Sequence, residues 1–414
     1  MYRLLKQCRL LASAALLFAV FILPVQAQQS SANLYDQAVE AMDAGNYRSA
    51  ELLFRSIVQN NDEFSERASF QLAKSIHFQK RYLSAIFEFN RYLLVATNNE
   101  TRSETRYWIA ESYYQNGNKL QAIEEYKRYI SQTITRNDLV VTSYRRIGFI
   151  YFSQRRFDES IIEWNRAISR AETESLKNSI RYDIAVAYFN SGQYRDAAKI
   201  TNLIQKRSDE ETIIAQCRIL EGRILQNQGN HVRAVRSFET IGKKQYPVRP
   251  MYNALYYAAI SYMKLGQEDK ALQKLTLFIR HGRESRLLYD AQLELARIYR
   301  SRNEGDKSLV LCYDIIENAK RRLLITEAVN IAGDIYLKRE NYRQARTVAE
   351  NIRQYDITYD TRDSYILLVD VYIGLGLYTE AEELLQAMQE KLQFDPRIDG
   401  IQYKLSYVYL RQER

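Results

Sequence analysis

His77, His231 and His281, with Cys217 and Cys312, are the side chains of this 414-residue sequence best suited to metal binding or nucleophilic chemistry. None stands in a pattern that such chemistry requires. The histidines are scattered, the two cysteines lack metal-ligand spacing, and the sequence has no HExxH, GxSxG, paired-cysteine motif or glycine-rich phosphate loop. Carboxylates are numerous, but at helical spacing they serve as solvated faces or ion-pair partners. Catalysis needs reactive groups that converge. The reading is therefore a non-enzyme with no catalytic residue, no metal site, no cofactor and no disulfide.

The chemistry that the residues do support is recognition. A stripe of aromatic and charged side chains recurs along the first half of the chain: Phe70, Lys74, His77; Tyr107, Glu111, Tyr114; Arg145, Phe149, Phe152; Tyr182, Val186, Phe189. Aromatic rings give large contact area at low entropic cost, so an exposed wall of this kind would suit an extended or helical peptide. The alternative for Phe149 and Phe189 is packing between neighbouring elements. Farther along, Arg223, Arg297 and Arg300 make the stripe basic, as acidic ligands or simple solubility would require.

The elements that position this stripe are repeated helices. Only 14 Gly and 4 Pro serve the whole chain, so turns must be short and helices dominant. Small residues recur at Ala38, Ala73, Ala110, Gly148, Ala185, Gly222, Ala259, Ala296, Gly333, Val369 and Ser406, at intervals of 35 to 38 residues. Three residues later comes Tyr in eight units, from Tyr113 to Tyr409, on the same helical face. Seven later comes Gly45, Gly117, Gly192, Gly229, Gly266 or Gly376, where a chain leaving a helix needs a left-handed residue. Twelve later stands Ala or Ser in every complete unit, from Ala50 to Ala381, and sixteen later a larger residue in most, such as Phe54, Phe89, Tyr126, Trp164 and Phe238. Two small positions let two helices approach closely while the larger side chain fills the space beside them. Cys312 falls at that sixteenth offset, which predicts a core thiol.

These positions resemble the tetratricopeptide repeat family over residues 31 to 414. The resemblance implies an all-α fold, a right-handed superhelical solenoid of antiparallel helix pairs, with about ten units plus a terminal half unit. The stripe at offsets −3, +1 and +4 from the first small residue would then line its concave groove. Units of 37 residues exceed the family's usual 34 or so, which implies an added turn or longer connection. Members that clamp a terminal carboxylate use Lys and Asn at set groove positions, which Lys74, Glu111 and Phe149 do not match. The segment from Gly242 to Pro250 carries two prolines between the sixth and seventh units and reads as a rigid elbow, since the spacing stays in phase, with a hinge as the alternative. The expected organisation is repeats one to six over 28–242, this connection over 243–250, and repeats seven to ten with a capping helix over 251–414.

The first residues give an address. Arg3, Lys6 and Arg9 precede an apolar run from Leu10 to Val25, and Val25-Gln26-Ala27 supplies small residues for cleavage. The pattern predicts a secretory signal over residues 1–27, with no transmembrane segment once it is removed. Cys8 precedes the run and cannot carry a lipoprotein's lipid. Cleavage would lower the net charge from +9 to +6, and Lys and Arg alternate with acids, so nucleic acid is not expected as a partner. Together these features predict a periplasmic scaffold or adaptor whose partner is a protein or peptide of the cell envelope. Two alternatives are a chaperone-like holder of exported unfolded chains and, from another class, an enzyme that processes glycan or peptidoglycan.

Overall fold

The computed structural model describes residues 30–133, 138–243 and 248–413. The predicted signal segment and part of the proline-containing connection lie outside these residues. Among them the fold is all-α, with 21 α-helices packed in sequential antiparallel pairs. The chain divides into two compact units between Ile180 and Arg181.

Each predicted helix pair forms at the predicted register because its small positions are where the two axes meet. Every second small residue from Ala50 to Ala381 is buried, including Ser160 and Ser308. The larger residue at offset sixteen is buried as well: Phe54, Phe89, Tyr126, Trp164 and Phe238, and Cys312 in their place. At Gly148 a β-carbon would lie 2.3 Å from Trp164 Nε1, so the largest ring of the series is matched to the smallest partner. Trp164 Nε1 then donates to the Arg145 carbonyl at 3.1 Å, which satisfies the buried indole N–H.

In several units the first helix carries the added length of the repeat, although Ser65–Phe78 and Leu288–Ser301 run only 14 residues. The first helix runs 17 residues in Asn99–Gln115, Glu211–Asn227 and Arg322–Lys338, whereas the second helices Lys119–Gln132 and Tyr378–Lys391 run 14. The difference is close to one turn.

All six predicted turn glycines have positive φ, from 68° at Gly266 to 88° at Gly117. The same offset is left-handed in the remaining units too, where it is occupied by Lys80, Arg155, Asn303, Glu340 and Glu413 at φ of 54° to 63°. The reason is the closing hydrogen bonds, not the residue type. Up to Gly376, the amide after each turn residue returns to a carbonyl inside the preceding helix, as at Asn118 N to Tyr113 O (2.9 Å) and at Arg81 N to Ile76 O (3.3 Å). A side chain at such a backbone costs about 1 kcal/mol.

Hydrophobic packing is shared by the helices on either side of the connection. Pro250 lies in the first turn of helix Val248–Lys264, where a missing N–H has no intrahelical role. Ile241 before the connection and Ala254 and Ala258 after it belong to one hydrophobic cluster with Phe238 and Phe278.

Candidate functional site

In the unit ending at Ile180, the predicted stripe lies where successive first helices run side by side. Helices Ser65–Phe78, Asn99–Gln115 and Asp138–Ser153 supply it. Phe70 is buried against Phe89 and Tyr92, with ring centroids 6.1 and 5.5 Å away. Lys74 is half-buried, its ammonium 5.3 Å from the Phe70 ring and 4.9 Å from that of Trp108. His77 is buried, and its Nδ1 lies 2.8 Å from Ser112 Oγ. The Ser112 hydroxyl donates to the Trp108 carbonyl, which leaves its oxygen to accept from the His77 Nδ1–H. Burial lowers the His77 pKa, with the Glu111 carboxylate opposing.

Glu111 is the centre of the next cluster. It is buried and accepts from Tyr126 Oη at 2.5 Å and from Arg146 Nε at 2.8 Å. Burial, and then the Glu111 charge, push the Tyr126 hydroxyl well above its ordinary pKa, so it stays a donor. Tyr107 is also buried, edge-on to Tyr129 at 5.7 Å. The Arg146 guanidinium lies 4.9 Å from the ring centre of Tyr114, which is half-buried. Arg145, Phe149 and Phe152 are half-buried; Phe149 meets Trp164 edge-on at 5.2 Å and Phe152 meets Phe157 at 5.5 Å.

In the unit that begins at Arg181, Tyr182 and Val186 are half-buried and Phe189 is buried. Arg223 lies between aromatic faces, 4.5 Å from Phe189 and 5.0 Å from Tyr257. The basic stripe anticipated here is paired, not free. Arg297 holds Glu294 at 2.6 Å and Glu327 at 2.9 Å, and Arg300 holds Asp334 at 3.4 Å.

The anticipated solvent-facing wall is therefore narrower than the sequence spacing implied. Phe70, His77, Tyr107, Glu111 and Phe189 are consumed by packing, while Lys74, Tyr114, Arg145, Phe149, Phe152 and Tyr182 keep part of their surface in water. Phe70 and Tyr107 are covered by the second helix of their own pair, and His77 and Glu111 by a recurring clamp between neighbouring first helices. Arg146 reaches Glu111 by the same offsets at which Lys404 reaches Asp370, and His77 meets Ser112 by those at which Gln226 meets Ser261. Sequence reasoning missed Trp108 and the exposed Phe78, which stacks on Tyr47 at 5.1 Å. The signal for the first was available, since Trp108 is one of only two tryptophans.

Among the described residues, no group of three or more His, Cys, Asp or Glu is placed to hold a metal ion, and no helix is long and apolar enough to cross a membrane.

Comparison with known proteins accords with this architecture. Residues 35–101 and 332–396 match one tetratricopeptide repeat family model, and residues 104–132 and 253–281 match another. The chain therefore carries tetratricopeptide repeats in both its first and its second half, and no catalytic domain appears among the matches. A signal transduction ATPase with numerous domains from Pyrococcus horikoshii, which has a tetratricopeptide repeat sensor, shares the fold. It is 15% identical with a TM-score of 0.54, over 84% of this chain and 55% of that one. The C-terminal part of a TPR repeat-containing protein from Cytophaga hutchinsonii aligns at 16% identity and a TM-score of 0.45, over 62% of this chain and 98% of its own. MamA protein aligns at 16% identity and 0.37, over 44% of this chain and 93% of its own. No curated protein matches the sequence.

Proposed function

We propose that this protein is a non-enzymatic scaffold or adaptor of the bacterial periplasm and cell envelope, which holds a partner protein or peptide against its first-helix face. The observation that carries the reading is the set of half-buried rings and cations, Lys74, Trp108, Tyr114, Arg145, Phe149 and Phe152, side by side on successive first helices of a repeat array. Rings already fixed by packing on one side lose little entropy when a partner covers the other. The export half of the reading rests on Arg3, Lys6 and Arg9 ahead of the apolar run from Leu10 to Val25, with Ala27 as the last residue removed.

The test is recovery of partners from crosslinked envelope with the parent and with a Tyr114→Ala, Phe152→Ala variant. One dominant partner, lost in the variant while its melt stays near the parent's, supports the adaptor. Many unfolded clients would make the protein a holdase, and glycan turnover by purified protein would make it an enzyme. N-terminal sequencing that finds Met1 on a membrane-bound product would remove the periplasmic address.

A further inference from the structure

The structure leaves one group of charges unspent. Helix Glu268–His281 is joined to helix Leu288–Ser301 by the loop 282–287, and with helix Val248–Lys264 this loop walls a cavity of 850 Å³. Arg280, Arg283 and Arg286 line it, all exposed, together with Asn253, Ser285 and Tyr257. None of the three arginines makes an ion pair or side-chain hydrogen bond among the described residues, and Glu284 is the loop's only acid. The next five arginines along the chain, Arg297, Arg300, Arg302, Arg321 and Arg322, each hold a carboxylate. Local sequence does not separate the two sets; what separates them is that, among the described residues, no carboxylate pairs with the first, although Glu284 lines the same cavity.

Beside this basic cavity lies an apolar one. Tyr252 stacks on His281 with ring centroids 6.0 Å apart and planes 11° from parallel, and this pair lines both spaces. The second cavity, 380 Å³, is lined chiefly by Phe238, Met251, Leu255 and Leu277. Both volumes fall in the range of ligand-binding pockets. Guanidinium groups present a planar fork that matches a carboxylate and are weakly hydrated, so they give up water readily on pairing.

We infer that this double cavity receives an acidic protein segment, its carboxylates on Arg280, Arg283 and Arg286 and one large apolar side chain in the smaller space. Asn253 and Ser285 offer donors and acceptors for a peptide backbone, which a lipid headgroup would not need. This rests on the scaffold reading and gives the partner's chemistry at a second place on the molecule.

The test uses the full-length exported protein and a fluorescent peptide, Glu-Glu-Phe-Glu-Glu, titrated by anisotropy at low and high salt. The parent should bind it, with affinity falling as salt rises. Replacing all three arginines with Gln should weaken binding at least about tenfold. Gln-Gln-Phe-Gln-Gln should not bind, and Glu-Glu-Ala-Glu-Glu should bind several-fold more weakly. A parent that ignores the acidic peptide, or a triple variant that binds it equally, overturns the inference. So does a parent that binds phosphatidylglycerol vesicles in place of the peptide, which would assign the site to lipid. Arg283→Gln alone carries the same test should the triple variant melt early. A parent that captures an envelope partner but not the peptide overturns only this site; one that binds the peptide but captures no partner overturns only the scaffold reading.

Discussion

The cluster around Glu111 and the loop from Arg280 to Arg286 are both rich in charge and aromatic rings, yet they use them in opposite ways. At Glu111 the carboxylate is buried and already taken by Tyr126 and Arg146. At the loop the guanidiniums face an open cavity whose acidic lining residue, Glu284, forms no ion pair with them among the described residues. A charge that holds two helices together is poorly available to a ligand, because a partner would first have to displace a hydrogen bond made in a low-dielectric site. Charges left unpaired beside a cavity carry no such cost.

Breaking the first region should have the largest effect. Tyr107→Ala removes a buried ring between three others and should cost about 3–5 kcal/mol, read as a lowered melting temperature. A melt unchanged from the parent would mean that Tyr107 is not part of the core. Glu111→Gln keeps the shape but weakens two charge-assisted bonds, at a cost of about 1.5–3 kcal/mol in denaturant titrations. Smaller and opposite in sign is Lys80→Gly. It relieves a side chain at φ 63° and should stabilise the same unit by about 0.5–1 kcal/mol, unless the turn relaxes to a right-handed backbone.

His77 sharpens the comparison through pH. Burial lowers its pKa below the ordinary 6.5, so between the folded and unfolded values the unfolded chain binds more protons. Stability should be full above about pH 6.5 and fall as acid is added through the folded pKa. His77→Asn should flatten that part of the pH–stability curve; an unchanged slope would assign it to other groups. The smallest effect belongs to the second region. Replacing Arg280, Arg283 and Arg286 together with Gln should shift stability by no more than about 0.5 kcal/mol, because none of them has a partner to lose among the described residues.

The helix-pair register was legible because it depends on volume, and volume is written in residue type. Ala122 must be small and Tyr126 large whatever surrounds them, and both are fully buried. The fate of the stripe was less legible because it is decided by contacts both within a helix pair and with the neighbouring repeat. Tyr107 and Tyr114 look alike in sequence, but Tyr107 is buried against Tyr126 and Tyr129 of its own pair's second helix, whereas Tyr114 keeps part of its surface in water beside Arg146 of the next first helix. Turn geometry was legible where glycine marked it and hidden at Lys80 and Glu340, whose side chains give no sign of a left-handed backbone. The arginine loop was invisible for a further reason. Arg283 differs from Arg297 only in which acids the fold brings near.

The two buried thiols give the protein an internal clock. Cys217 and Cys312 are both inaccessible, and burial raises each pKa to about 12, so a thiol-labelling reagent meets neither a surface nor a thiolate in the native state. Labelling must wait for an opening that frees helix Glu211–Asn227 in one case and helix Gly305–Asn318 in the other. In a repeat array such openings need not coincide. The ratio of the two labelling rates therefore reports how far an unravelling event travels along the chain before it closes again, without any probe being added to the sequence.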